Sequence, residues 1–298
     1  MRINLIKVKR QFIYKKTSEL TSNELRDISK IFFDSFGWTL SYKHFKNKYQ
    51  ANDFRDSFHV LVKNKSYKLE GIYTLIPRKI SYKNDFLYAL QSSDTCFPYK
   101  GIVNPFTLKK IVLKLINFSK QNIKEIDFIY GFPNKNYEKL SKFIFGWKKK
   151  FTLRIKIDFL PFLTYIKLKK RKNNYYNINL NEQETNFRLN SLFNFITPLD
   201  SNSVMNFWIS KRFFYLQFYS VSNYSNSFKK IKSKISNLLN FTRLFIPSIF
   251  LCDDNRVNHK WQINTKLVPY NFYMIMVNEK NKIKEELFQI NPLWNDVP

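Results

Sequence analysis

The chain has 298 residues, of which 44% are apolar and 18% aromatic, and its formal net charge is +29. This composition is typical of a globular protein with a sizeable core and excludes a disordered chain. Two cysteines (Cys96 and Cys252) exclude a disulfide framework, and with three histidines no dedicated metal cluster is expected. Apolar runs fall far short of the ~20 residues of a spanning helix, and the charged amino terminus does not fit a secretory signal. We therefore expect a soluble, cytoplasmic protein.

The first half of the sequence predicts alternating strands and helices. A strand at 12–16 precedes a helix that begins at the capping box of Thr21 and Glu24 and ends at Gly37. The apolar face of a later helix is given by the spacing of Leu108, Ile111 and Leu115. The further predicted elements are a helix at 41–49, strands at 57–64, 71–80 and 85–94, a helix at 106–120, a strand at 126–130, a helix from Asn134 to Phe145, and a strand at 147–159. This order, β-α-α-β-β-β-α-β-α-β, predicts a mixed α/β sheet.

The second half differs in composition. All five glycines lie at or before Gly146, and residues 165–179 are rich in lysine and asparagine, which is typical of a linker. We therefore predict two units, 1–165 and 180–298, joined by a linker at about 166–179. In the second unit the spacing of apolar residues predicts helices at 186–195, 204–217 and 228–239 and strands at 242–250, 257–263 and 270–277.

The positive net charge could reflect binding to nucleic acid, or it could reflect a bias towards A/T-rich codons, which favour lysine. Arginine supplies only 11 of the 51 basic residues, and the chain is also rich in Asn, Ile, Phe and Tyr, whose codons are A/T-rich. Proteins that bind nucleic-acid phosphates usually favour arginine, which bonds phosphate bidentately. We therefore expect no stable nucleic-acid partner, but a peripheral attraction to anionic surfaces.

Two segments resemble a known family. The first is Gln91-Ser92-Ser93-Asp94-Thr95-Cys96-Phe97-Pro98-Tyr99-Lys100-Gly101, and the second is Tyr130-Gly131-Phe132-Pro133-Asn134 followed by Gly146-Trp147-Lys148. Both resemble GNAT (GCN5-related) N-acyltransferases, in particular a branch found in polysaccharide-biosynthesis loci. The resemblance covers about residues 10–160. It implies a mixed-sheet GNAT-like acyltransferase fold in 1–165, followed by a second, degenerate GNAT-like α/β unit that closes one wall of the acceptor cleft.

The resemblance also implies a site for acetyl-CoA or another acyl-CoA. Backbone N–H groups at a helix start attract a pyrophosphate, and the helix dipole adds to that attraction. After Gly101, however, the family expects Lys-Gly-Ile-Phe, and this chain has Ile102-Val103-Asn104-Pro105-Phe106. Pro105 fits the first helical turn but removes a donor. The residues implied to bind the co-substrate are Thr95, Cys96, Phe97, Lys100, Gly101, Ile102 and Asn134.

Amide formation needs a base for the amine and an acid for the departing thiolate. Asp94, or Glu70 through a water molecule, is the candidate base, and Tyr137 is the candidate acid. Each has an ordinary alternative, because Asp94 could cap a turn and Tyr137 could be a half-buried packing residue. Cys96 is expected to be a small buried apolar residue. The position at which many GNATs carry a tyrosine acid is Lys142 in this sequence.

The resemblance predicts an acyl-CoA-dependent N-acyltransferase that acts on an amino group, such as that of a sugar or sugar-nucleotide in surface polysaccharide biosynthesis. Two alternatives stay open at this point. One is a catalytically inactive GNAT-fold protein that binds a polyanion or a protein partner, and the other is a Fem-type aminoacyl transferase. The acyl chain, the acceptor and the oligomeric state are not given by the sequence.

Overall fold

The computed structural model describes residues 10–158, except 38, 83–84, 99–103, 124 and 134. Beyond residue 158 it describes short strands, the long strand Gln262–Met276, and residues 277 and 283. Lys100, Gly101, Ile102 and Asn134 therefore lie outside the described residues, as do the predicted helices at 186–195 and 228–239.

Four α-helices and fourteen strands are described. The helices are α1 (Ser22–Phe36), α2 (Tyr42–Gln50), α3 (Pro105–Asn122) and α4 (Lys135–Phe145). The strands of the first half are β1 (Gln11–Lys16), β2 (Phe58–Lys63), β3 (Leu69–Tyr82), β4 (Asp85–Cys96), β5 (Phe128–Gly131) and β6 (Lys148–Asp158). The remaining strands are β7 (Lys167–Leu168), β8 (Asn177–Asn179), β9 (Ile196–Pro198), β10 (Trp208–Arg212), β11 (Tyr215–Phe218), β12 (Ser248–Cys252), β13 (Val257–Asn258) and β14 (Gln262–Met276).

The helix ends follow the local chemistry of the sequence. The Thr21 hydroxyl accepts from the Glu24 N–H at 3.2 Å, and the Glu24 carboxylate accepts from the Thr21 N–H at 3.0 Å, which is the predicted capping box. Gly37 and Gly146 end α1 and α4 in the left-handed conformation, at φ +73° and +66°. Pro105 is the first residue of α3, as predicted.

The main sheet runs in the order β1-β2-β3-β4-β5-β14-β6-β12-β11-β10-β9. Helices pack on both of its faces. Apolar residues of α1 and α2 (Ile28, Phe32, Phe45 and Tyr49) form one core with Leu61, Ile72 and Cys96. Apolar residues of α3 (Leu108, Ile111, Val112 and Leu115) form a second core with Tyr73, Leu90 and Trp147, against which the side chains of α4 pack. The predicted mixed α/β sheet is confirmed.

The final strand is inserted between β5 and β6. It pairs antiparallel with both neighbours, for example Met274 with Tyr130 of β5 and Phe272 with Phe151 of β6. The division into 1–165 and 180–298 stays a prediction, but the strands β1–β6 of the first half share their sheet with β14, which comes from beyond residue 260. Any fragment meant to fold as the first unit must therefore contain β14.

One predicted element in the second half is wrong. Residues 204–217 were expected to be helical, but they contain β10 and most of β11, which form an antiparallel pair. The two strands contain the aromatic residues Trp208, Tyr215 and Phe218. Aromatic side chains favour a pleated surface, and here they outweigh the helical spacing of the apolar residues.

Among the described helices, none is long and apolar enough to cross a bilayer.

Candidate functional site

The parallel strands β4 and β5 part in the middle of the sheet. They pair from Ala89–Phe128 to Ser92–Gly131, after which β5 ends while β4 continues to Cys96. Within the described residues, no strand pairs with this last stretch of β4 on the β5 side. Its backbone groups are therefore available to an extended ligand. We call the opening between Ser92, Cys96 and Gly131 the mouth.

A β-bulge turns β4 at the mouth. Thr74 of β3 lies opposite Ser93, and Ile72 lies opposite Cys96, so β4 has one more residue than β3 between these pairs. Within the bulge, Asp94 takes φ +36°, in the left-handed region that a residue with a side chain rarely adopts. Such a conformation persists only where the surroundings hold it, and bulges often re-aim side chains near functional sites.

Contacts to α2 hold this strained residue. The carboxylate Oδ2 of Asp94 lies 2.6 Å from Lys48 Nζ and accepts hydrogen bonds from the Tyr49 and Ser93 hydroxyls, the latter at 2.9 Å. The side chains of Lys48 and Asp94 are only 10% and 12% exposed. All three donors act on Oδ2. Asp94 thus ties the bulge to α2, which is a structural role that accounts for its position without chemistry.

Four hydroxyl side chains gather on the opposite face of the mouth, and we call them the hydroxyl cluster: Tyr73, Ser92, Thr95 and Tyr137. The Tyr73 hydroxyl and Ser92 Oγ are hydrogen-bonded at 2.7 Å. The Tyr137 hydroxyl is buried and interacts with the side chains of Thr95 and Tyr73. No local sequence pattern predicts that these four residues meet, because they come from three separate elements, β3, β4 and α4.

Burial raises the pKa of both tyrosines of the cluster. It raises the pKa of Tyr73 to about 12, against the smaller opposing effect of the Ser92 hydrogen bond. It also raises the pKa of Tyr137 well above its usual value, and the neighbouring Tyr73 adds to this effect. Each side chain carries its O–H near neutral pH, as an exposed tyrosine also would, and can donate a hydrogen bond to an anionic or thiolate group.

The two halves of the second motif meet at the mouth. A Cβ at Gly131 would lie 2.8 Å from Cζ3 of Trp147 and 3.3 Å from Cβ of Ser92, which is closer than the Trp147 ring tolerates. Trp147 itself is 6% exposed and belongs to the core on the α3 side. Residue 131 must therefore be a glycine, because any larger side chain would collide with the buried Trp147 ring.

The other predicted residues at the end of β4 differ in where their side chains lie. Cys96 is fully buried beneath α1 and α2, and burial raises the pKa of its thiol well above the usual value, so it is the expected apolar residue and no nucleophile. Phe97 is half-buried and its ring lies directly against Gly71. Because the Cys96 side chain is buried, this residue could contact a ligand only through its backbone groups. The roles of Thr95, Cys96 and Phe97 in binding stay predictions.

The start of α3 has few free donors. The Asn104 side chain accepts from the Thr107 N–H at 2.8 Å, and Pro105 has no N–H. Two backbone groups that could donate hydrogen bonds to a phosphate are therefore not available, because the Thr107 N–H is already bonded and residue 105 has no N–H. Of the candidate bases, Glu70 is bonded to Arg10 at 2.8 Å and to Asn64 near the β2–β3 turn, where it serves the fold.

Lys48, Tyr73 and Ser92 were missed as site residues by sequence reasoning. Ser92 stood within the quoted motif, but its partner Tyr73 is nineteen residues away on β3. The pairing depends on the register of β3 and β4, which the bulge shifts by one residue. The alternation of apolar and polar residues along β3 and β4 does not indicate that shift in register.

Known proteins with similar structures exist, although no family model and no curated protein matches the sequence. A protein from Enterococcus faecalis V583, described as a probable N-acyltransferase, has a TM-score of 0.63 at 8% identity, covering 90% of this chain and 73% of its own. A GCN5-related N-acetyltransferase from Anabaena variabilis has a TM-score of 0.57 at 12% identity, with coverage of 90% and 73%. One from Kribbella flavida has a TM-score of 0.57 at 8% identity, with coverage of 90% and 72%. At these identities the likeness establishes the fold, which is that of the GCN5-related N-acetyltransferases.

Proposed function

We propose that this protein is an acyl-CoA-dependent N-acyltransferase that transfers an acetyl or similar group to an amine. The observation that carries the proposal is the parting of β4 and β5 at the hydroxyl cluster. Unpaired strand backbone can hydrogen-bond the extended pantetheine arm of an acyl-CoA, and buried hydroxyl groups lie at the point where the strands separate. The fold shared with N-acetyltransferases supports the same conclusion.

The chain's own residues would serve the reaction as follows. Acyl-CoA supplies an activated thioester, whose C–S bond breaks as the amine nitrogen forms the new amide. The Tyr137 hydroxyl is protonated at neutral pH, as that of any tyrosine is, so it can donate a hydrogen bond and then a proton to the sulfur that departs, and burial, which raises its pKa, makes it a weaker acid than a free tyrosine. Tyr73 interacts with the Tyr137 hydroxyl and is itself hydrogen-bonded to Ser92, so it would orient that hydroxyl. No covalent intermediate with the protein is needed.

The base for the amine is the second element of the proposal. Asp94 lies on the α2 face of the mouth, where three donors hold its Oδ2. Proton uptake would therefore fall on Oδ1. We propose Asp94→Asn as the test of this role, since the amide keeps the size of the side chain but cannot take the proton.

For the acceptor we propose the amino group of a sugar or sugar-nucleotide used in surface polysaccharide assembly. The support is the similarity of Tyr130–Asn134 and Gly146–Lys148 to the branch from polysaccharide loci. An assay of free-thiol release from acetyl-CoA against a panel of amino sugars, amino acids and polyamines would test the class. Turnover with other amines and none with amino sugars would overturn this part alone.

A second candidate is a GNAT-fold protein that binds without catalysis. One observation favours it: Asn104 and Pro105 remove two potential phosphate donors from the start of α3. Such a protein would bind acyl-CoA weakly and respond to any polyanion in a salt-sensitive way. The Fem-type alternative gains no support from the described residues.

A thermal-shift titration separates the two candidates. The protein is titrated with acetyl-CoA and, separately, with GTP, a nucleotide of similar charge that is not a fragment of CoA, at ~150 mM salt, which screens non-specific attraction. A ligand at ~100 times its dissociation constant adds about 2.7 kcal/mol of stability. Stabilisation by acetyl-CoA beyond that by the control supports the acyltransferase. Equal effects, or none, support the binding protein.

A matched pair of tyrosine variants then tests the chemistry. Tyr137→Phe is expected to keep acetyl-CoA binding and to lower turnover about 100-fold, as expected for the loss of an acid. Tyr14→Phe is the control, because Tyr14 also has a buried hydroxyl, with a pKa raised to about 12 by burial, but lies on β1 against Phe118. Full activity in Tyr137→Phe would refute the acid role.

A further inference from the structure

The outward face of α3 combines exposed apolar and cationic side chains. Phe106 is 70% exposed and Leu113 is 48% exposed, while Lys109, Lys110, Lys114 and Lys120 are exposed as well. The eighteen residues of α3 contain no acidic side chain. The inner face of the helix is already used, because Leu108, Ile111 and Leu115 pack in the core. This outward face needs a separate explanation.

The positions form an ordered pattern around the helix axis. Each residue advances by about 100° on an α-helix. Phe106, Leu113 and Asn117 then fall within about 40° of one another and form a central ridge. Lys110 and Lys114 flank the ridge on one side, and Lys109 and Lys120 flank it on the other. We call this arrangement the α3 ridge.

The surroundings of the α3 ridge are also cationic. The neighbouring α4 exposes Lys139, whereas its Glu138 is bonded to Lys142 at 2.8 Å and to the Tyr273 hydroxyl. Glu125, just beyond the end of α3, is an exposed carboxylate that offsets one of these charges. The net charge of this surface is therefore positive, which favours an anionic occupant.

The chemistry favours a lipid surface over a nucleic acid. Phe and Leu on an exposed ridge can insert at the boundary between headgroups and acyl chains. Lysines on both flanks can extend their charged ends to anionic headgroups while their alkyl stems follow the apolar ridge. A phosphate-backbone contact would use the lysines but would leave Phe106 and Leu113 without a partner, and α3 contains no arginine.

We propose that the α3 ridge docks this protein on the surface of an anionic lipid bilayer. The helix lies parallel to the membrane plane, with Phe106 and Leu113 inserted and the four lysines at the headgroups. This proposal is independent of the acyltransferase assignment, since it uses no residue of the mouth.

Vesicle flotation of the full chain tests the proposal. Vesicles of phosphatidylcholine with ~30% phosphatidylglycerol are compared with pure phosphatidylcholine at ~150 mM salt. With four lysines at the headgroups, binding to the anionic vesicles is expected to be stronger by a factor on the order of several hundred. Each lysine near an anionic surface contributes about a fivefold factor, so Lys110→Gln with Lys114→Gln should lower partitioning about 25-fold. Unchanged partitioning in this variant would overturn the proposal.

Two further variants make the test specific. Phe106→Gln with Leu113→Gln keeps the charge and the helix propensity and is expected to lower partitioning about tenfold. The control is Lys43→Gln with Lys46→Gln, which removes two exposed lysines from α2 on the opposite face of the sheet and should change partitioning less than about twofold. Melting curves confirm that each variant is folded.

Three further outcomes would overturn the lipid proposal. Equal loss in the α2 control would mean that the total charge of the chain drives binding. Duplex DNA bound as tightly as vesicles, with no effect of the apolar variant on either, would identify a polyanion surface. A change in the monomer–dimer equilibrium of the apolar variant, without any change in vesicle binding, would identify a second copy of the chain as the occupant.

Discussion

Replacing Gly131 by alanine should disturb the mouth through one identifiable contact. The added Cβ would lie 2.8 Å and 3.1 Å from Cζ3 and Cη2 of Trp147. Trp147 is 6% exposed and sits in a packed core, so its ring has little room to move. Overpacking of this kind costs about 1–3 kcal/mol, and we expect about 2 kcal/mol of lost stability.

A double-mutant cycle isolates that contact. Trp147→Phe removes the outer ring atoms that the alanine methyl would strike, so Gly131→Ala in this background should cost less than about 0.5 kcal/mol. Urea unfolding followed by circular dichroism measures all four proteins, because that signal does not depend on the tryptophan. Gly146→Ala is a control for loss of glycine itself, since its Cβ would meet nothing within 4 Å and its cost of about 1 kcal/mol comes from φ +66° alone.

The result that would refute this reasoning is additivity. If Gly131→Ala costs the same in the presence and in the absence of the Trp147 indole, the two halves of the motif are not coupled by contact. The glycine would then be needed for another reason, such as access of a ligand to the backbone at the mouth.

Three other predictions follow from single side chains. Burial lowers the pKa of His59 from 6.5 to about 3. Between these two pH values the imidazole is protonated in the unfolded chain but not in the folded protein. The free energy of unfolding should therefore fall by about 2 kcal/mol as the pH is lowered from 7 to 5. Urea midpoints that depend equally on pH in His59→Gln would contradict this. Burial alone would raise the pKa of Glu24, but hydrogen bonds from Lys15, the Thr21 backbone and Lys63 lower it to about 2. Glu24→Gln should therefore lower the free energy of unfolding by about 2 kcal/mol at pH 7. This difference from the unsubstituted protein should shrink as the pH falls from 4.5 towards 2, because the carboxylate is then protonated. A difference that stays constant over this range would argue against the ion pairs. Pro105→Ala restores an N–H at the start of α3 and should tighten CoA binding about fivefold in a calorimetric titration; an unchanged affinity would mean that no phosphate reaches this helix end.

The elements fixed by local chemistry could be predicted from the sequence. The capping box at Thr21, the glycine ends at Gly37 and Gly146, and Pro105 at the start of α3 each act within a few residues. The apolar face of α3 was also visible as a 3.6-residue period. Most element boundaries in the first half therefore lie within two or three residues of the prediction.

Features that depend on distant pairing could not be predicted. Strand β14 enters the sheet between β5 and β6 from more than a hundred residues away, and no local pattern records that position. The bulge at Asp94 places a non-glycine residue at φ +36°, against its own preference, because Lys48 and Tyr49 of α2 hold its carboxylate. The hydroxyl cluster depends on the same shifted register.

Hydrogen–deuterium exchange of the peptide that spans residues 91–98 tests the central claim most directly. If acyl-CoA pairs with β4 beyond Ser92, saturating acetyl-CoA should slow exchange in this segment, while 3′,5′-ADP at the same concentration should leave it unchanged. Exchange that is unaffected by acetyl-CoA, or slowed equally by both compounds, would contradict the assignment of the mouth as an acyl-CoA site.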